Sequence, residues 1–125
     1  MAKIGILRCE KNGDRCPMTN CLRCLQEKKE GFARYADAEL TGILSCTCPG
    51  DEATKLAGIL KSKGADVIHL CTCTFAKKTD QGWALGNGFC DDIDHLAMEV
   101  AAATGLPVVK GTAHLPAGYK AQVFE

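Results

Sequence analysis

Cysteine is the side chain here whose type and spacing could do chemistry, because most cysteines fall where apolar, strand-like runs end. Cys9 follows Lys3–Arg8 (KIGILR), Cys46 and Cys48 follow Glu39–Ser45 (ELTGILS), and Cys71 and Cys73 close Asp66–Leu70. Cys90 stands just before a helical pattern. In a parallel α/β sheet the carboxyl ends of the strands share one edge, and such folds bind ligands there. The spacing therefore predicts thiols gathered at one edge, able to hold a soft metal ion or to act as thiolates.

Cys46-Thr47-Cys48 places two sulfurs at i and i+2 of an extended segment, where they face the same way. Cys48 also precedes a predicted helix, whose dipole lowers a nearby thiol pKa, with Asp51 and Glu52 working against that effect. Cys71-Thr72-Cys73 repeats the arrangement. Cys71 is close enough to the strand to be core, whereas Cys73 is expected at the rim. His69, two residues earlier, reads as a hydrogen-bonded core histidine rather than a ligand. The first loop adds Cys9, Cys16, Cys21 and Cys24, and Cys21-Leu22-Arg23-Cys24 has the CxxC spacing of zinc and redox sites. His114, a few residues past the last predicted strand, can bring an imidazole to the same edge. His95 reads as a surface residue.

A competing pattern is Cys9-x5-Arg15 directly after the first strand, the spacing of small phosphatases and thiol-dependent arsenate reductases. Glu10 and Asp14 inside that loop are poor company for an oxyanion. The spacing matches neither a two-CxxC zinc ribbon nor a ferredoxin-type run, so any ligand set must be assembled by the fold.

The elements that would do this are legible from periodicity. Apolar runs at Lys3–Arg8, Glu39–Ser45, Asp66–Cys71 and Leu106–Lys110 predict four strands. Helical spacing predicts a ragged helix from Asn20 with Leu22 and Leu25. It predicts a second over Asp51–Lys63 and a third over Asp91–Thr104, closed by Gly105. The alternation β-α-β-α-β-α-β implies right-handed crossovers and one α/β domain over residues 1–125. The expected fold is a small Rossmann-like or flavodoxin-like three-layer fold with a parallel four-stranded sheet in the order 2-1-3-4. Thr74 to Phe89 has no clear period, holds Trp83 and three glycines, and is expected as a long loop over the cysteine edge.

Bulk properties narrow the function. Fifteen basic and fifteen acidic residues give zero net charge, which argues against nucleic acid as the main partner. No segment approaches the roughly 20 apolar residues of a membrane span, and the N-terminus lacks the layout of a signal peptide. The expected compartment is the reducing cytoplasm, where structural disulfides are rare. Nine cysteines is an odd number, so complete pairing within one chain is impossible.

At these motifs the chain resembles the CGGC-domain family of small cysteine-rich prokaryotic proteins. The likeness rests on Ile4-Gly5-Ile6-Leu7-Arg8-Cys9, Cys16-Pro17 with Cys21, Phe32-Ala33-Arg34-Tyr35 and Ser45-Cys46-Thr47-Cys48-Pro49-Gly50. It continues through Gly64–Leu70, Cys73, Gly88-Phe89-Cys90 and Gly111-Thr112-Ala113-His114. Ser45, Cys46 and Thr47 replace the first three residues of the CGGC motif, and Ala113 is inserted in its closing Gly-Thr-His. The resemblance implies a metal-binding domain with no assigned reaction and candidate ligands at Cys9, Cys16, Cys21, Cys48, Cys73, Cys90 and His114. Cys24 and Cys71 look like additions to the family pattern. Structural zinc takes four ligands, so Cys9, Cys48, Cys73 and Cys90 form the first expected set, with Cys16, Cys21 and His114 in reserve. Zinc is the expected ion, an iron–sulfur cluster the alternative. The contrasting expectation is a thiol-dependent redox or transfer enzyme with a low-pKa Cys9 or Cys48 and a small-molecule or redox partner.

Overall fold

The computed structural model describes residues 1–47 and 52–125. Its frame is a sheet built on β1 (Ala2–Cys9), whose Ile4, Gly5, Ile6 and Leu7 are buried. Such a run, apolar on both faces, belongs in the middle of a parallel sheet. Parallel strands β2 (Ala38–Cys46) and β3 (Val67–Leu70) flank it. Beyond β3 lie parallel β6 (Val108–Lys110) and antiparallel β7 (Gln122–Phe124), giving the order β2-β1-β3-β6-β7.

The sheet thus has five strands, which corrects the expected four. The added strand is only three residues long and none of them is buried, so Gln122–Phe124 carries too little apolar pattern to stand out. The expected loop at 74–89 is also corrected. Ala76–Thr79 (β4) and Gly82–Leu85 (β5) form an antiparallel hairpin with Trp83 opposite Lys78. Exposed on nearly every residue, that hairpin has no buried face to impose an alternating pattern.

Helices cover both faces. Helix α1 (Thr19–Glu27) and the turn Glu30–Phe32 lie on one side, where Met18, Leu25 and Phe32 pack on Ile4, Ile6, Val67 and Val109. Helices α2 (Ala53–Ser62) and α3 (Ile93–Thr104) lie on the other, packed on Leu7, Ile68, Leu70 and Val108. Alternate strand residues therefore belong to different cores, and this parity decides where each thiol goes. Gly5 and Gly42 are register partners on β1 and β2, and both lie under Leu60 of α2. A Cβ at either would meet the Leu60 side chain at 3.0–3.2 Å, so the glycines make the groove in which α2 seats.

Gly31 performs a similar service on the α1 face. Its N–H donates to the Thr112 carbonyl at 2.8 Å, and a Cβ there would collide with the Gly111 carbonyl. Backbone cannot move aside as a flexible side chain does. Gly31→Ala is expected to lower unfolding free energy by about 2 kcal/mol in urea titrations. Gly58→Ala, where an added Cβ meets nothing, should cause no loss.

Among the described residues, no helix is long and apolar enough to cross a membrane.

Candidate thiol site

The carboxyl edge of the sheet opens into a cavity of about 180 Å³ on the α1 side. Its wall comes from four places: Arg8 at the end of β1, Cys71–Cys73 after β3, Thr112–His114 after β6, and Cys16–Cys21 leading into α1. Trp83 of the hairpin completes the rim.

Sheet parity explains these directions. Cys71 continues the face of Val67 and His69, which pairs with Ile4 and Ile6, so its sulfur lies in the α1-side core and is 3% exposed. Arg8, between Leu7 and Cys9, turns the same way. Its Nη2 donates to the carbonyls of Asn12 and Cys16 at 2.9 Å each, which folds the first loop around the guanidinium. Its buried Nε–H has no hydrogen-bond partner among the described residues.

The three thiols of Cys21, Cys71 and Cys73 form a row on the cavity wall, with Cys71 interacting with both of the others. The Cys21 pKa falls from an ordinary 9.0 to about 6. The Cys71 thiol hydrogen bond is the largest cause, and burial opposes it. The Thr112 hydroxyl, the Ala113 N–H and the Arg8 charge add to the lowering. Position helps too, since Cys21 lies in the first turn of α1, near the positive end of the helix dipole. Cys71 moves well above the ordinary range, because it bonds to both neighbours, is buried, and faces their negative charge. Cys73 is lowered by the same Cys71 thiol and by Asn12, against burial and the charge on Cys21. Between Cys21 and Cys71, Cys21 is therefore the readier to lose its proton and Cys71 the more reluctant.

A buried polar chain holds the far wall. The Gly111 carbonyl can only accept, so the His69 Nδ1–H donates to it at 2.8 Å. Nε2 of the neutral ring then accepts from the Tyr35 hydroxyl at 2.6 Å. Burial depresses His69 to about 4 and raises Tyr35 to about 12, so both stay uncharged near neutrality. Beyond Gly111, Thr72 and Thr112 clasp each other: each backbone N–H donates to the other's hydroxyl, at 3.3 and 3.1 Å. The Thr112 hydroxyl proton is left for Cys21 Sγ, 3.2 Å away. Thr112→Val is expected to raise the Cys21 pKa and slow its alkylation at pH 6, read by mass spectrometry of the modified peptide. Unchanged labelling would remove Thr112 from the account.

Two of the five described non-glycine residues with positive φ line the same cavity. Met18 and His114 are non-glycine residues at φ 64° and 55°, in the left-handed region. Each costs roughly 1–3 kcal/mol, and such residues cluster at functional sites. Here Met18 is anchored by burial, while His114 bonds Asn20 through Nε2 at 3.0 Å and stacks on Trp83 with centroids 5.0 Å apart. The hairpin is tied to this edge by Phe89 N–H to the Cys73 carbonyl and Cys90 N–H to the Thr74 carbonyl.

The expected ligands divide between two faces. Cys16, Cys21, Cys73 and His114 share the 180 Å³ cavity. Cys9 and Cys90, with Cys46, line a smaller cavity of about 30 Å³ on the α2–α3 side. Cys48 lies outside the described residues. Among the described residues, no group of three His, Cys, Asp or Glu side chains is arranged to hold a metal ion as it stands. The CxxC pair is divided: Cys21 lines the cavity and Cys24 does not, and burial and nearby Glu30 raise the Cys24 pKa. Arg15 is exposed and pairs with Asp14 at 3.5 Å, so Arg8, not Arg15, is the cavity's guanidinium. His69 is core, and His95 is on the surface, 2.7 Å from Glu99. Arg8, Cys71, Thr112 and Trp83 are the site residues that sequence reasoning did not assign. The parity of Cys71 with His69 and the charge at the carboxyl end of an apolar strand at Arg8 were the available signals.

Fold and cavity together define a cysteine-rich α/β protein with a thiol site at the carboxyl edge of a mostly parallel sheet. The chain belongs to the CGGC-domain family, whose model matches residues 3–113. It is similar to an uncharacterized protein of Methanocaldococcus jannaschii, 35% identical over 80 residues, covering 58% of this chain and 62% of that protein. The match thus spans less than two thirds of that relative. No solved structure matches.

Proposed function

We propose that the chain binds a soft metal ion, zinc first, through the sulfurs of Cys21, Cys71 and Cys73, with Cys16 and His114 at the cavity rim. The observation that carries this reading is the convergence of three thiols from α1 and the end of β3 on the wall of one 180 Å³ cavity. Thiolate and imidazole are the donors that zinc prefers, and the donor set fits. The row is not closed around an ion as it stands, so binding requires the sulfurs to draw together and releases protons. The Cys21 thiolate, the Arg8 charge and the Thr112 hydroxyl lower the cost of the first deprotonation. Bound zinc would supply Lewis acidity if one position stayed open to water or substrate. An iron–sulfur centre is the other soft occupant that four cysteines could hold. Either needs reduced thiols, which fits the cytoplasm.

A second reading draws on the Cys21 pKa of about 6, which leaves it mostly thiolate at neutral pH beside the proton-bearing Cys71. That is the disposition of a thiol redox or transfer enzyme, with Cys21 in the role expected of Cys9 or Cys48. Metal analysis of anaerobically purified, untagged protein separates the two. About one zinc per chain supports the metal site, and iron in multiples with a brown colour supports the cluster. Trace metal with immediate labelling of Cys21 sinks the metal reading and favours thiol chemistry.

A further inference from the structure

The sheet carries a second group of thiols on its opposite face. Cys9 and Cys46 are direct register partners on the neighbouring parallel strands β1 and β2. Parity turns both toward α2 and α3, since Cys9 follows Leu7, and Cys46 follows Leu44, on that side. Adjacent strands stand about 4.8 Å apart, inside the Cα separation of roughly 4.4–6.8 Å that a disulfide spans. Both sulfurs line the 30 Å³ cavity, otherwise walled mainly by Leu7, Leu70, Ile93 and Leu96, with Cys90 at its side. Its cysteines line no part of the larger cavity. Cys9 is 5% exposed, whereas Cys46 is partly accessible.

We propose that Cys9 and Cys46 form a redox-active dithiol, a second thiol site that small disulfides of the glutathione type oxidise to an intramolecular disulfide. The partly exposed Cys46 thiolate attacks one sulfur of the incoming disulfide and expels the other as a thiolate. The product is a mixed disulfide on Cys46. Cys9, buried beside it and too enclosed to meet the reagent itself, loses its proton and attacks the Cys46 sulfur. The second small thiol departs. The protein pair gives up two electrons and two protons, and the small disulfide takes them up as two thiols. A neighbouring thiol already in place makes the second step intramolecular and fast, so the mixed disulfide is short-lived. The apolar wall contributes by excluding water and competing nucleophiles.

The full-length protein is equilibrated in buffers with stepped ratios of reduced to oxidised glutathione, quenched with acid, alkylated and digested. Cys46 and Cys48 share a tryptic peptide, so fragment ions must assign the sulfur. The expected product is a Cys9–Cys46 link whose oxidised-to-reduced ratio follows the oxidised glutathione concentration over the square of the reduced one. Cys21→Ser should leave the link intact, so failure of the metal reading does not carry this one with it. Cys46→Ser should abolish the link and leave Cys9 alkylated. The wild-type map carries the test even if that variant folds poorly. Recovery of Cys9 and Cys46 as alkylated thiols at every ratio overturns the proposal, and so does a link from either one to Cys48 or Cys90.

Discussion

Cys71→Ser is expected to reduce bound zinc from about one ion per chain to trace, while the protein stays folded. Cys71 is the central sulfur of the row, interacting with both Cys21 and Cys73. Serine is slightly smaller, and its hydroxyl can still donate to a neighbouring sulfur, so packing and part of the polar arrangement survive. A neutral hydroxyl oxygen is a poor ligand for a soft ion, and the loss falls on binding. Cys9→Ser and Cys90→Ser, on the other face, should keep their zinc. Metal analysis of the three variants beside thermal melts reads both quantities. Retention of zinc in Cys71→Ser with a lowered melting temperature would make Cys71 structural only. Loss of zinc in the Cys9 and Cys90 variants would move the site to the small cavity.

The second large effect is acid lability from His69. Burial holds the folded pKa at about 4, below an ordinary 6.5. Between those values the unfolded chain binds a proton that the folded chain does not, so unfolding gains on folding as pH falls. The stability conferred by a neutral His69 is present in full above pH 6.5 and is lost as pH falls toward 4. About 2.5 units of difference correspond to on the order of 3 kcal/mol. Urea unfolding at pH 7, 5.5 and 4.5 should show that decline. His69→Gln should start lower at pH 7, because the Gly111 carbonyl and the Tyr35 hydroxyl lose ideal partners, and should decline less steeply. Equal slopes in both proteins would place the acid sensitivity elsewhere. The Gly111 carbonyl is also the group that Gly31 accommodates, and the next residue is Thr112. Acid should therefore loosen the cavity wall before the rest of the sheet.

Much of the frame was legible because burial imposes a period. Apolar runs marked β1, β2, β3 and β6, and helical spacing marked α2 and α3, with Gly105 closing α3 at φ 73°. Where burial imposes little, the sequence was silent. The β4–β5 hairpin is mostly exposed and β7 has no buried residue, so neither announced itself. The site was legible as a tendency of thiols to collect at strand ends, but strand parity then divides those thiols between two faces. Neighbouring residues on a strand face opposite ways, so one edge feeds two cavities. Arg8 and Cys9 part company across the sheet, and Cys71 falls with Cys21, not with Cys9. The register of β1 on β3, which places Cys71, runs unbroken, while that of β1 on β2 includes a shift at Ile4–Gly5 that no local pattern signals.

The account stands on one site, the Cys21–Cys71–Cys73 row. The most direct test compares the alkylation rate of every cysteine, residue by residue, in zinc-loaded and chelator-treated protein. The account predicts that zinc protects Cys21, Cys71 and Cys73 and leaves the rates of Cys9, Cys46 and Cys90 unchanged. Protection of Cys9 and Cys90 with Cys21 still reactive would contradict it.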